Sequence, residues 1–197
     1  MVKEDKKIRK LTTEQIEREL NRVRYKQRYG RTFRSTIYAL IIVAAMTILA
    51  ATLFLPVFRI YGSSMSPTLM DGQIIISVKE KEFQTGDIIA FYYNNKILVK
   101  RVIANTGDWV DIDQDGNVYV NDEILDEPYV EEKAIGDCNI ALPYQVPEGK
   151  IFVLGDHRSV SLDSRHTSVG CVSEDQIVGK LLLRIWPLKE ITLFEYR

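Results

Sequence analysis

Cysteine and histidine are both scarce in this chain: two of each occur among 197 residues. Cys138 and Cys171 permit one intramolecular pairing, which excludes a disulfide-stapled scaffold. A single bridge between them remains chemically allowed. There is no Cys-x-x-Cys and no metal-like His/Cys cluster, so neither a metal nor a cofactor is expected. His157 and His166 are the whole supply of imidazole for acid–base work. Net charge is small as well, at −1, and bulk electrostatics suggests no nucleic-acid partner. Charged side chains are missing altogether from residues 35–58, a run of 24.

That run is long enough to cross a bilayer, since a spanning helix needs about 20 apolar residues. Its flank is lopsided. Residues 1–34 hold 12 Lys/Arg against 5 Asp/Glu, and the remainder holds 14 against 22. Basic flanks stay on the cytoplasmic side, so the N-terminus is expected inside and the rest of the chain outside. The basic leader is too long for a cleaved signal peptide, which favours a retained anchor. The expected organisation is a basic cytoplasmic arm over 1–34, a membrane anchor over 35–56 and an extracytoplasmic domain over 57–197. Within the arm, Thr12-Thr13-Glu14-Gln15 has the form of a capping box. Ile16, Leu20 and Val23 then recur at helical spacing, with Gly30 as the stop of a short amphipathic helix.

After Pro56 the texture turns to β. Segments 73–78, 87–93, 97–103 and 150–154 are rich in Ile, Val, Phe and Tyr, with glycine near their edges. Segments 109–112 and 117–120 flank Asp113-Gln114-Asp115-Gly116, which predicts a hairpin. Segment 176–186 is a long strand candidate ending at Pro187. Strands do not alternate with helices, so a parallel doubly wound sheet is excluded. The expected fold is mainly β, an antiparallel barrel-like or folded sheet behind one membrane helix. Residues 122–149, with three prolines and several acids, read as a loop or insertion.

Three readings of the chemistry stand side by side. Ser64 lies just past the anchor, in Ser64-Met65-Ser66-Pro67-Thr68, and serine needs a base within reach to lose its proton. Lys100 sits in an apolar strand beside Arg101, and alternation puts the two on opposite faces, one buried and its neighbour solvated. Burial disfavours the ammonium form, and a neutral lysine can act as general base. The second reading is a triad of Ser64, one of the histidines and Asp163, although no Gly-x-Ser-x-Gly elbow surrounds Ser64. The third has no chemistry: an anchored β-domain used for binding.

Four blocks, in order, bear on the choice. Ser64-Met65-Ser66-Pro67-Thr68-Leu69 resembles the nucleophile box of bacterial type I signal peptidases, the Ser/Lys membrane proteases. Gly86-Asp87-Ile88-Ile89-Ala90-Phe91 resembles the strand before the lysine, and the stretch from Val99-Lys100-Arg101 to Gly107-Asp108 the lysine box. Gly155-Asp156-His157-Arg158 with Ser161-Leu162-Asp163-Ser164-Arg165 resembles the last box. The chain looks like the single-anchor, Gram-positive-like form, and Lys100 argues against the endoplasmic-reticulum type, which uses histidine there.

The resemblance implies a membrane-bound endopeptidase that cuts signal peptides from secreted preproteins after small residues. Membrane lipid and secretory preproteins would be its partners. It implies Ser64 as nucleophile and donor of one oxyanion N–H, and Lys100 as general base. Ser161 would hydrogen-bond the lysine amine, and Asp163 and Arg165 would pair to hold the site together. Phe58, Ile60, Met65, Leu69, Ile75, Leu98 and Val99 would line a shallow apolar cleft. Gly62 stands where some members carry a serine that adds an oxyanion hydroxyl, and His157 where asparagine is usual. Self-cleaving Ser/Lys proteases of the same fold are the alternative enzymes, but those lack a membrane span.

Overall fold

The computed structural model describes residues 13–194. It contains one long helix, α1 (Thr13–Phe54). Twelve short strands follow among the described residues, numbered in chain order: β1 (Val57–Arg59), β2 (Ile74–Val78), β3 (Ile88–Tyr93), β4 (Lys96–Ala104), β5 (Trp109–Ile112) and β6 (Val118–Val120). Then come β7 (Glu123–Ile124), β8 (Tyr144–Gln145), β9 (Lys150–Leu154), β10 (Val172–Ser173), β11 (Ile177–Trp186) and β12 (Thr192–Leu193). The helix as far as Ala51 and the chain from Thr52 onward are separate compact units.

Helix α1 has 42 residues and does not stop at Gly30, contrary to the sequence reading. A glycine inside a helix costs only about 1 kcal/mol relative to alanine, and good helix formers on both sides carry the turn through. Thr12 and the Gln15 side chain lie outside the described residues, so the capping box does too. Tyr29–Ala51 has a mean hydropathy of 1.9 and is long and apolar enough to cross a membrane by length and composition. Its threonines are compatible with apolar surroundings. Thr36 Oγ1 donates to the Thr32 carbonyl at 3.0 Å and Thr47 Oγ1 to the Val43 carbonyl at 2.9 Å, so these hydroxyls are satisfied within the helix.

The β unit is antiparallel throughout its strand pairs. An eight-stranded sheet runs β1-β2-β11-β3-β4-β9-β10, with β12 added to β11. A smaller sheet runs β7-β6-β5-β8. Side-chain alternation on β3 shows how the large sheet is covered on both faces. Ile88 and Ala90 join a cluster with Ile60, Met65, Leu69, Ile75 and Leu181, while Ile89 and Phe91 join Phe83, Val102 and Val153. A third cluster, around Phe152 and Leu154, takes Val110, Ile112 and Val118 from the small sheet and so fastens the two sheets together.

The β5–β6 hairpin closes over the Asp-Gly turn. Asp113 accepts from the Asn117 backbone and side-chain amides, each at 2.8 Å. Residues 122–149 are more than a loop, which corrects the sequence reading: β7 and β8 fall within them, Val146 is buried in the third cluster, and Glu127 is buried too. Proline spacing and surface acids hid a segment whose few inward residues are widely separated. Both cysteines are half-buried free thiols, so the allowed bridge is not formed. Phe152 is fully buried where the two sheets meet. Phe152→Ala is expected to destabilise the β unit by about 3–5 kcal/mol, read from denaturant unfolding of the full chain in detergent.

Candidate active site

Three chain segments converge on Ser64. The first is its own loop, between β1 and β2. Met65 and Leu69 are buried in the cluster beneath it, and Leu69 N–H donates to the Met65 carbonyl at 2.8 Å, which winds 65–69 into a tight turn. Gly62 N–H donates to Asp71 Oδ1 at 2.9 Å and ties the front of the loop to its far end. Two apolar pins and these bonds fix the backbone, so Ser64 presents its hydroxyl from a held position.

The second segment is β4. Lys100 is 2% exposed, and its Nζ lies 2.7 Å from Ser64 Oγ. Burial is the largest influence on the amine and lowers its pKa from 10.5 to about 8. The carboxylates of Asp163 and then Asp156 pull it back up, and Arg165 pushes it down. Arg101 is also buried, rather than solvated as strand alternation suggested. It is held by a matched partner: Nε and Nη2 donate to the two oxygens of Asp156 at 2.9 and 2.6 Å, and Nη1 donates to the Gly86 carbonyl at 2.8 Å.

The third segment is the loop at 155–165. Asp163 accepts from Arg165 Nε and Nη2, each at 2.8 Å, and from Gly155 N–H at 3.0 Å. His157 N–H donates to the Ser64 carbonyl at 3.1 Å, which joins this loop directly to the Ser64 segment. Gly155 sits at the tightest point. A Cβ there would lie 2.1 Å from Ser161 Oγ and 2.5 Å from the Ser64 carbonyl oxygen, so only glycine fits.

Two expectations about this loop need correction or closure. Ser161 is buried beside Gly155 and the Ser64 backbone, but its hydroxyl makes no hydrogen bond to Lys100 and has no partner among the described groups. The Lys100 amine is turned to Ser64 instead. The histidine triad is not assembled. The His166 ring is engaged with Ser168 Oγ at 2.7 Å and lies 3.8 Å from Asp137, and Asp163 is committed to Arg165. The His157 ring nitrogen Nδ1 is buried without a partner.

A cavity of about 790 Å³ opens beside Ser64. Of the seven apolar residues expected there, Phe58, Ile60, Met65 and Val99 line it. Leu69 and Ile75 do not; both are fully buried in the cluster below. Leu98 packs against the other cluster, with Phe83 and Val102. Val57 and Ile97 line the cavity and were not expected. The signal for Ile97 was present, because it shares a strand face with Val99 two residues on.

The catalytic class is that of a peptidase, and the chain belongs to the signal peptidase family: residues 33–186 match the family described as signal peptidase, peptidase S26. Signal peptidase I U of Bacillus subtilis (strain 168) is 35% identical over 167 residues, covering 79% of this chain and 88% of the relative. Signal peptidase IB of Staphylococcus aureus is 39% identical over 153 residues, covering 68% of this chain and 78% of the relative. A crystal structure of a signal peptidase I from Enterococcus faecalis V583 is 31% identical in sequence and covers 52% of this chain and 99% of its own, with a TM-score of 0.43.

The crowding at Gly155 gives a direct test. Gly155→Ala must displace either the Ser161 side chain or the Ser64 backbone. A misplacement near 1 Å at a catalytic group costs about a hundredfold in rate, so peptide cleavage should fall on that scale while the melting temperature records a folded protein. An unchanged rate would mean that the Ser64 segment had not moved.

Proposed function

We propose that this chain is a membrane-bound serine endopeptidase that removes N-terminal signal peptides from secretory preproteins, with Ser64 as nucleophile and Lys100 as general base. The observation that carries the reading is the 2.7 Å approach of the two groups at an amine that burial holds to a pKa of about 8. An amine with a pKa near 10.5 would be charged at neutral pH and unable to accept a proton. At a pKa of about 8, roughly a tenth is neutral at pH 7.

In the reaction, Ser64 Oγ bonds to the scissile carbonyl carbon as Lys100 Nζ takes its proton. The carbonyl oxygen becomes an oxyanion, and the Ser64 backbone N–H donates to it. Collapse breaks the C–N bond, and the Lys100 ammonium returns the proton to the leaving amine. Lys100, neutral again, then draws a proton from a water that attacks the Ser64 ester; the acyl C–O bond breaks, and the ammonium returns that proton to Ser64 Oγ as the acid leaves. Asp163 and Arg165 hold the loop that carries Ser161.

Part of the cavity wall suggests specificity. Phe58, Ile60, Met65 and Val99 form an apolar face suited to small apolar side chains such as alanine before the cut, with Arg59 and Lys96 elsewhere on the lining. Residues Tyr29–Ala51 of α1 serve as the anchor, with the basic arm in the cytoplasm and the β unit outside. Ser64 follows the last residue of α1, Phe54, by only ten positions. That short tether favours substrates that are themselves membrane-bound.

The pH dependence follows from the sign of the shift. The active form of Lys100 is neutral, and its pKa is lowered to about 8. Activity is therefore present above that value and falls as the pH drops below it. In a preprotein cleavage assay in detergent, kcat/KM should rise about tenfold per pH unit between pH 5 and 7 and level off above 8. A flat profile removes lysine as the base. Ser64→Ala and Lys100→Ala should each lower kcat by a thousandfold or more, on the order seen for essential dyad members. The double variant His157→Asn with His166→Asn should keep its activity.

A further inference from the structure

The segment joining β7 to β8 passes over the two arginines that flank the lysine site. Glu127 is 5% exposed, and its carboxylate accepts from Arg158 Nη1 at 3.1 Å, from Arg158 Nη2, and from the Tyr129 hydroxyl at 3.0 Å. Burial and the nearby Glu127 carboxylate push the Tyr129 phenol up, so it stays protonated and able to donate. The Arg101 Cζ lies 3.7 Å from the centroid of the Tyr129 ring. Arg101 Nε and Nη2 donate to Asp156, Nη1 donates to the Gly86 carbonyl, and Nη2 also donates to Thr68 Oγ1 at 3.4 Å. The ring adds a cation–π contact to these bonds. Further along, Arg165 Nη1 donates to the Ile135 carbonyl at 2.7 Å. A Cβ on Gly136 would lie 2.4 Å from the Arg158 carbonyl oxygen, so the chain there is in direct contact with the arginines.

These contacts have a consequence for Lys100. It shares a peptide unit with Arg101, so a backbone shift of β4 at one residue is felt at the other. We propose that Glu127 and Tyr129 are positioning residues for Lys100: the 125–136 strap clamps Arg101 and Arg158, and through them sets the reach of the amine to Ser64 and its isolation from water. Glu127 fixes Tyr129 through the phenol, Tyr129 fixes Arg101, and Arg101 fixes the strand. Asp163, Asp156 and Arg165 act on the amine by charge, and burial is the largest influence of all. Loosening the strap relieves burial and lets the pKa climb back toward its ordinary value.

This inference rests on the Ser64–Lys100 reading, and the experiment separates the two. The pH–rate profile of preprotein cleavage is measured for the full chain in detergent, wild type beside Tyr129→Phe, Tyr129→Met, Tyr129→Leu and Glu127→Gln, with a melting curve for each. A wild type with no acid limb overturns the dyad, and this inference with it. Given that limb, Tyr129→Phe keeps the ring but cuts the phenol link to Glu127, and should fall between the wild type and the Met and Leu variants in kcat and limb position. Tyr129→Met and Tyr129→Leu should lose about tenfold in kcat with KM changed less than about twofold. Their acid limb should move toward alkaline pH by about half a unit or more. A folded Met or Leu variant with the limb and kcat of the wild type overturns the strap alone. Should neither fold, Glu127→Gln decides: an acid limb displaced toward alkaline pH supports the strap, and a limb in the wild-type position overturns it.

Discussion

A lysine side chain beside water is a cation, and a cation takes no proton from an alcohol. What the β unit provides is an enclosure around one amine, and most of its unusual features serve that enclosure. Desolvation is a blunt instrument, because it acts against every charge nearby. Here it is opposed by Asp163 and Asp156, which favour the ammonium and keep the pKa from falling further. The outcome near 8 is a compromise. For the general base proposed above, a lower value would leave a weaker base, and a higher one would leave too little of the neutral form at ordinary pH.

The same unit also buries three arginines. Arg101, Arg158 and Arg165 are 0%, 1% and 0% exposed, and each meets a buried carboxylate, from Asp156, Glu127 and Asp163 respectively. Buried ion pairs are a weak source of stability, since desolvation consumes most of the attraction. Their effect is geometric. A buried guanidinium left unpaired is very costly, so each arginine admits few arrangements of its neighbours. Three of them, set between β4, the 155–165 loop and the 125–136 segment, leave one way for those parts to meet.

Much of the β unit was legible because its signals are local. Strand 150–154 and strand 109–112 were read with their observed bounds, and the Asp113–Gly116 turn closes a hairpin as its composition indicated. Ser64 and Lys100, singled out by the resemblance of the four blocks, lie in hydrogen-bond contact. What escaped was non-local. Nothing in the sequence near Glu127 says that its partner is Arg158, thirty-one positions away. Nor could the apolar character of Leu69 and Ile75 separate cavity wall from the floor beneath it. The burial of Arg101 was hidden because alternation assigns a face but not what covers it. Gly30 misled in the opposite way, a local breaker overruled by its flanks.

The unbroken run of α1 has a mechanical side. At 1.5 Å per residue its 42 residues extend about 63 Å, roughly twice the thickness of a bilayer's hydrocarbon. The sixteen residues ahead of Tyr29 make a rod of about 24 Å with no break at Gly30 to act as a joint. With Tyr29–Ala51 spanning a bilayer as proposed, a typical tilt of about 20° would swing the far tip of that rod sideways by about 8 Å. The lever works in reverse as well: whatever grips the basic end can lean the whole shaft.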